Sequence, residues 1–151
     1  MAFGTFDGIH EGHRSFLRQA RQQGDRLIVA VAHDHAVEQL KQQGSDYSLS
    51  ERISMIETEA IADVVVAGDI ELGSWEVLQR HAPDVIALGY DQSGLRAALE
   101  AMIGRLEQPP VLMIMEAFKP EELHSSIIRM RPTPLDPQYV QTEQRDQLLA
   151  E

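Results

Sequence analysis

The 151-residue sequence contains no cysteine, which excludes disulfides, thiolate zinc sites, iron–sulfur ligation and thiol nucleophiles. Cationic residues are scarce, with 13 Lys plus Arg against 24 Asp plus Glu and a formal charge of −11. That balance repels nucleic-acid backbones and anionic membranes at long range, so neither is an expected partner. Aromatic residues make up only 5%, with a single tryptophan. No apolar run approaches the roughly 20 residues needed to cross a bilayer. The opening MAFGTFD has neither the basic region nor the apolar stretch of a secretory signal. A soluble, cytoplasmic protein is expected, and the chain length fits one compact domain rather than two cores.

Apolar residues amount to 43%, enough for a real core. Short continuous runs recur at Met1 to Phe6, Leu27 to Ala32, Val64 to Ala67, Val85 to Leu88 and Val111 to Met115. Such runs suit strands buried on both faces of a parallel sheet. Amphipathic segments separate them. Phe16, Leu17 and Ala20 share one helix face that ends near Gly24, and Ser48 with Glu51 forms a capping-box pattern ahead of Ile53, Ile56 and Ala60. Further helices are expected from Ser74 to His81, before Pro83, and from Ser93 to Leu106, before Pro109 and Pro110. The alternation predicts an α/β fold, a Rossmann-like three-layer α/β/α arrangement on a parallel sheet of about five strands. Residues 132–151, with Pro132, Pro134 and Pro137, read as an appendage to a domain spanning 1–131.

Ligands of such sheets bind beyond the carboxyl ends of the strands, where strand order reverses. The stretch from Gly4 through Thr5, Phe6, Asp7 and Gly8 to His10, Gly12 and His13 runs from a strand end into a helix start. Its glycines allow close backbone approach. A helix N-terminus there offers amide donors to phosphate, and two imidazoles three residues apart can meet charge that builds up in a transition state. The same helix end disfavours the imidazolium, so protonation is not given by the sequence.

GTFDGIHEGH, followed by FLRQA and GDRLIVAVAHD, resembles the nucleotidyltransferases with the HxGH signature, which include cytidylyltransferases, adenylyltransferases and archaeal-type FAD synthases. A second segment, Lys119 to Arg129 with His124, Ser125 and Ser126, is similar to the family's serine/threonine cluster that binds the triphosphate. The GYDQ segment, Gly89 to Gln92, resembles the loop that contacts base and sugar. Together with HSS and VAHD, it lies nearer to archaeal-type FAD synthases than to glycerol-phosphate cytidylyltransferases. Where some cytidylyltransferases carry an arginine, Ala60 stands here. Relatives also begin several residues earlier and have a full first strand, so either the start is trimmed here or that strand is unusually short.

The resemblance implies transfer of a nucleoside monophosphate from a triphosphate to a phosphate-bearing acceptor, with release of pyrophosphate. The preferred pair is ATP and FMN giving FAD. A cytidylyltransferase acting on an alcohol phosphate is the alternative, and a non-catalytic nucleotide-binding module is the reading from another class. His10, His13, Lys41 and Lys119 are the implied catalytic residues, with Lys41 placed in the loop after the second strand. Phe3, Gly4, Thr5, Phe6, Gly12, Gly89, Asp91, Gln92, His124, Ser125 and Ser126 are the implied nucleotide contacts. Asp7 is either a carboxylate near a divalent ion, Mg2+ being expected, or a brace for backbone amides. Arg52 either holds the phosphate-binding loop or touches substrate. Gly89 and Asp91 could also serve only a turn and a helix cap. Family members are often dimers, so a homodimer is admitted.

Overall fold

The computed structural model describes residues 1–41 and 44–118, without the side chains of 39–41. In chain order the elements are β1 (Ala2–Gly4), α1 (Glu11–Arg21), β2 (Ile28–Val31), α2 (Asp34–Lys41), α3 (Leu49–Thr58), β3 (Val64–Ala67), α4 (Glu76–His81), β4 (Val85–Leu88), α5 (Ser93–Ile103) and β5 (Val111–Ile114). The strands form one sheet in the order β3-β2-β1-β4-β5, and every pairing is parallel. This is the expected Rossmann-like α/β architecture. Among the described residues, no helix is long and apolar enough to cross a membrane.

Side-chain alternation along each strand divides the core into two layers. Ala2, Val29, Val31 and Ala87 face Leu17 and Ala20 of α1 and Ile56 of α3. Phe3, Ala30, Ile86 and Leu88 face Val77 and Leu78 of α4 and Leu95, Leu99 and Met102 of α5. The inner strands β1, β2 and β4 therefore bury both faces, which is why their runs are continuous rather than alternating, whereas the edge strand β5 leaves Val111, Met113 and Ile114 exposed.

Four local readings change. Ala60, expected on the stripe of the helix after Ser48, lies past the end of α3 at φ 56°. The segment beginning at His33 is not a loop but α2, whose Ala36 and Val37 are buried, and Lys41 ends that helix. The helix expected from Ser74 starts at Glu76, because Trp75 is left-handed at φ 58° and cannot be a helical residue. The last helix ends at Ile103 with Gly104 as its C-cap, short of Leu106. Lys119, His124, Ser125, Ser126 and the 132–151 appendage lie outside the described residues.

Candidate active site

Strand order reverses between β1 and β4, the position at which open α/β sheets bind ligands. The two strands share one register pair, Ala2 with Ala87. Beyond it, the Gln92 side chain replaces the ladder. Its Nε2 donates to the Phe3 carbonyl at 3.0 Å, and its Oε1 accepts from the Gly89 amide at 2.8 Å. The side-chain amide of Gln92, an implied nucleotide contact, is engaged by backbone, and the residue is 8% exposed. A Cβ on Gly89 would sit 2.7 Å from Asp91 Oδ1, so a side chain here would push the Asp91 carboxylate out of the turn. Burial raises the Asp91 carboxyl above its ordinary value, while its own backbone amide and a positive charge on His10 pull it back.

The loop after β1 is shaped by two left-handed residues, Phe6 at φ 52° and Gly8 at φ 100°, and is tightened by a bond from the Gly8 amide to the Phe6 carbonyl at 3.0 Å. Between them, Asp7 accepts from the amides of Asp46 at 2.9 Å and Tyr47 at 3.0 Å. Of the two roles open to Asp7, bracing the backbone is the one its geometry displays.

His10 and His13 form a reciprocal cap on α1. His10 has extended dihedrals, and its Nδ1 accepts from the Gly12 amide at 3.1 Å. His13 Nδ1 in turn accepts from the His10 amide at 3.4 Å. A neutral imidazole that accepts at Nδ1 carries its proton on Nε2. The rings stack with centroids 3.8 Å apart, inclined at 26°. A Cβ on Gly12 would lie 2.8 Å from His10 Cε1, so a side chain inside the H-x-G-H spacing would have to displace the imidazole that caps α1. Burial first, then positive charge at His10 and Arg14, pushes His13 down to about 4, against a raising contribution from a hydrogen bond with the Gly8 backbone. His13 is therefore neutral at pH 7.

Arg52 is fully buried at 0% exposure. Its guanidinium donates to the carbonyls of Thr5 at 2.9 Å, Ala32 at 2.8 Å and Tyr47 at 3.1 Å, and to Asp34 Oδ1 at 2.7 Å. Of the two roles open to Arg52, holding the loop is the one its geometry displays: it fastens the loop after β1 to the end of β2 and the entry to α3. Asp34 and Tyr47, the partners that complete this brace, were not singled out from sequence. Asp34 also accepts from the Leu49 amide at 3.1 Å. Its burial, which acts to raise the carboxyl, is outweighed by that amide and by Arg52, so the group stays below the ordinary carboxylate range.

Thr5, one residue past β1, is buried, and its Oγ1 has no hydrogen-bond partner among the described residues. An orphaned buried hydroxyl costs about 1–3 kcal/mol, and at a sheet's ligand edge it marks a position for a polar contact. Among the described residues, no three His, Asp or Glu side chains converge to hold a metal ion. These residues do not build a resident cation cage.

A family model described as cytidylyltransferase-like matches residues 1–131. The FAD synthase of Thermococcus sibiricus is 36% identical over 126 residues, covering 83% of this chain and 85% of that one. The FAD synthase of Methanococcoides burtonii is 37% identical over 136 residues, covering 87% and 90%. The crystal structure of a lipopolysaccharide core biosynthesis protein from Thermoplasma volcanium superposes with a TM-score of 0.71 at 27% identity, covering 79% of this chain and 96% of the other.

Proposed function

The chain belongs to the cytidylyltransferase-like family and is a nucleotidyltransferase, and from that premise we propose that it transfers AMP from ATP to the phosphate of FMN, giving FAD and pyrophosphate. The acceptor phosphate oxygen forms the new bond to the α-phosphorus as the bond to the β-phosphate oxygen breaks. No covalent enzyme intermediate is needed. The observation that carries this reading is the stacked imidazole pair capping α1 beside the β1/β4 reversal, in a chain similar to FAD synthases over most of its length.

His10 is the exposed member of the pair, and its Nε2 is the donor for charge developing on the phosphates. The Thr5 hydroxyl offers a second contact, and the Gly89–Gln92 turn flanks the nucleotide on the β4 side. Lys41, Lys119, His124, Ser125 and Ser126 complete the reading on the family's pattern. Catalysis comes from alignment and charge stabilisation. A divalent ion, Mg2+ in this reading, belongs to the substrate, because it keeps several waters and takes most other ligands from phosphate oxygens. Its contribution is to neutralise phosphate charge.

The test is pyrophosphate release with ATP or CTP against FMN and glycerol 3-phosphate. Release with ATP and FMN, and FAD as the product, is expected. Release with CTP and glycerol 3-phosphate instead would overturn the acceptor assignment, and nucleotide binding without release would favour a binding module. H10A and H13A should each lower turnover at least about a hundredfold, the scale of a lost transition-state donor, with the fold retained by circular dichroism.

A further inference from the structure

Phe6 sits in the signature loop with a backbone that a bulky side chain rarely adopts, at φ 52°. Strain of this kind costs of order 1–3 kcal/mol and persists where surrounding structure over-determines it. What the strained backbone achieves is visible in the ring's position. The ring folds back over Gly4 so closely that a Cβ there would lie 2.7 Å from Phe6 Cε2. The ring also meets His13 edge to face, with centroids 5.4 Å apart and planes at 65°. Phe6 is only 6% exposed and belongs to the core layer that includes Leu17 and Met115, so the ring is itself held firmly. His13 is thereby placed between a buried ring and the His10 imidazole stacked at 3.8 Å, with its Nδ1 committed to the His10 amide.

We propose that Phe6 is a positioning residue for nucleotidyl transfer: its ring, turned inward by a left-handed backbone and seated on Gly4, walls His13 from water and fixes the orientation of that imidazole. The proposal rests on the functional reading above only for the role of His13 in turnover. Burial is the largest cause of the lowered His13 value, and Phe6 supplies a wall of that burial. The charged groups bearing on His13 are His10 and Arg14. Arg14 is itself paired with Glu11 at 2.6 Å and Glu59 at 3.0 Å. Across the crevice, Asp91 interacts with His10. An aliphatic residue in place of Phe6 leaves all of these charges in position and removes only the ring.

The test has two arms. In the wild-type protein in solution, proton NMR should show nuclear Overhauser contacts between the Phe6 ring and the His13 Cδ2 or Cε1 protons, and His13 should titrate near 4. Absence of those contacts would overturn the proposal, and this arm needs no variant and no activity. In F6L, which keeps a bulky residue on the same strained backbone, the His13 midpoint should rise by at least one pH unit. The acid limb of kcat should move with it, and kcat should fall about tenfold or more while KM for ATP changes less than about threefold. F6Y, which keeps a ring, should retain a titration near that of the wild type. A folded F6L with unchanged His13 titration and unchanged kcat would reduce Phe6 to core filling. Failure of every acceptor to release pyrophosphate would defeat the functional reading but leave the NMR arm to decide the contact.

Discussion

At the scale of single residues, the site is governed by what each polar atom already bonds. His13 titrates near 4 in the folded chain, against about 6.5 for a free imidazole. Between those values the unfolded chain binds a proton that the folded chain refuses, so stability falls as pH drops from about 6.5 to 4 and levels off below. The full difference corresponds to at most about 3 to 4 kcal/mol. Urea melts at pH 7 and pH 4.5 should show the loss in the wild type and a shallower one in H13Q; equal slopes would deny the lowered value. Arg52 is a second case. R52M leaves the Thr5 and Ala32 carbonyls bare, and each stranded buried acceptor costs about 1–3 kcal/mol. The expected outcome is a large drop in denaturation midpoint, together with lost activity.

At the scale of elements, helix starts carry much of the local information. The Ser48 and Glu51 pattern is present as a full capping box on α3, with reciprocal bonds of 3.2 Å, and S48A should cost about 1 kcal/mol. The same reciprocity at α1 uses two histidines in place of a hydroxyl and a carboxylate, so the cap and the proposed catalytic pair are one structure. Sequence spacing made the pair legible, whereas the stacking and the use of each Nδ1 depend on side-chain rotations that spacing does not fix. The Gln92 bridge is also invisible to local pattern, because its carbonyl partner, Phe3, is 89 residues away. Q92A strands that carbonyl and the Gly89 amide. A loss of about 2–3 kcal/mol is expected, measurable as a shift in urea midpoint without change in slope.

At the scale of the whole molecule, the sheet was readable because buried parallel strands leave unbroken apolar runs, and all five fall within the expected segments. What escaped was set by tertiary demand. α2 is only eight residues long, too short for its periodicity to stand out, and the left-handed turn at Trp75 displaced the start of α4. The Asp7 clamp on residues 46 and 47 joins positions about 40 residues apart in sequence, which no motif spacing reports. If the assembled site binds ATP and FMN only when folded, saturating both should raise the melting temperature by several degrees, since ligand at about a hundredfold over its Kd stabilises by about 2.7 kcal/mol. The two together should exceed either alone; no shift with any nucleotide would argue against the site.

The Arg52 guanidinium grips carbonyls from three separate stretches of chain, at Thr5, Ala32 and Tyr47. Asp7 adds a second tie between the first and third of these. Lysine, a point charge on a flexible stem, cannot reproduce such a planar multi-pronged grip. Mechanically the three stretches are one part: a push that displaces the turn before α3 is felt at the histidine loop, and neither can drift while the other stays put.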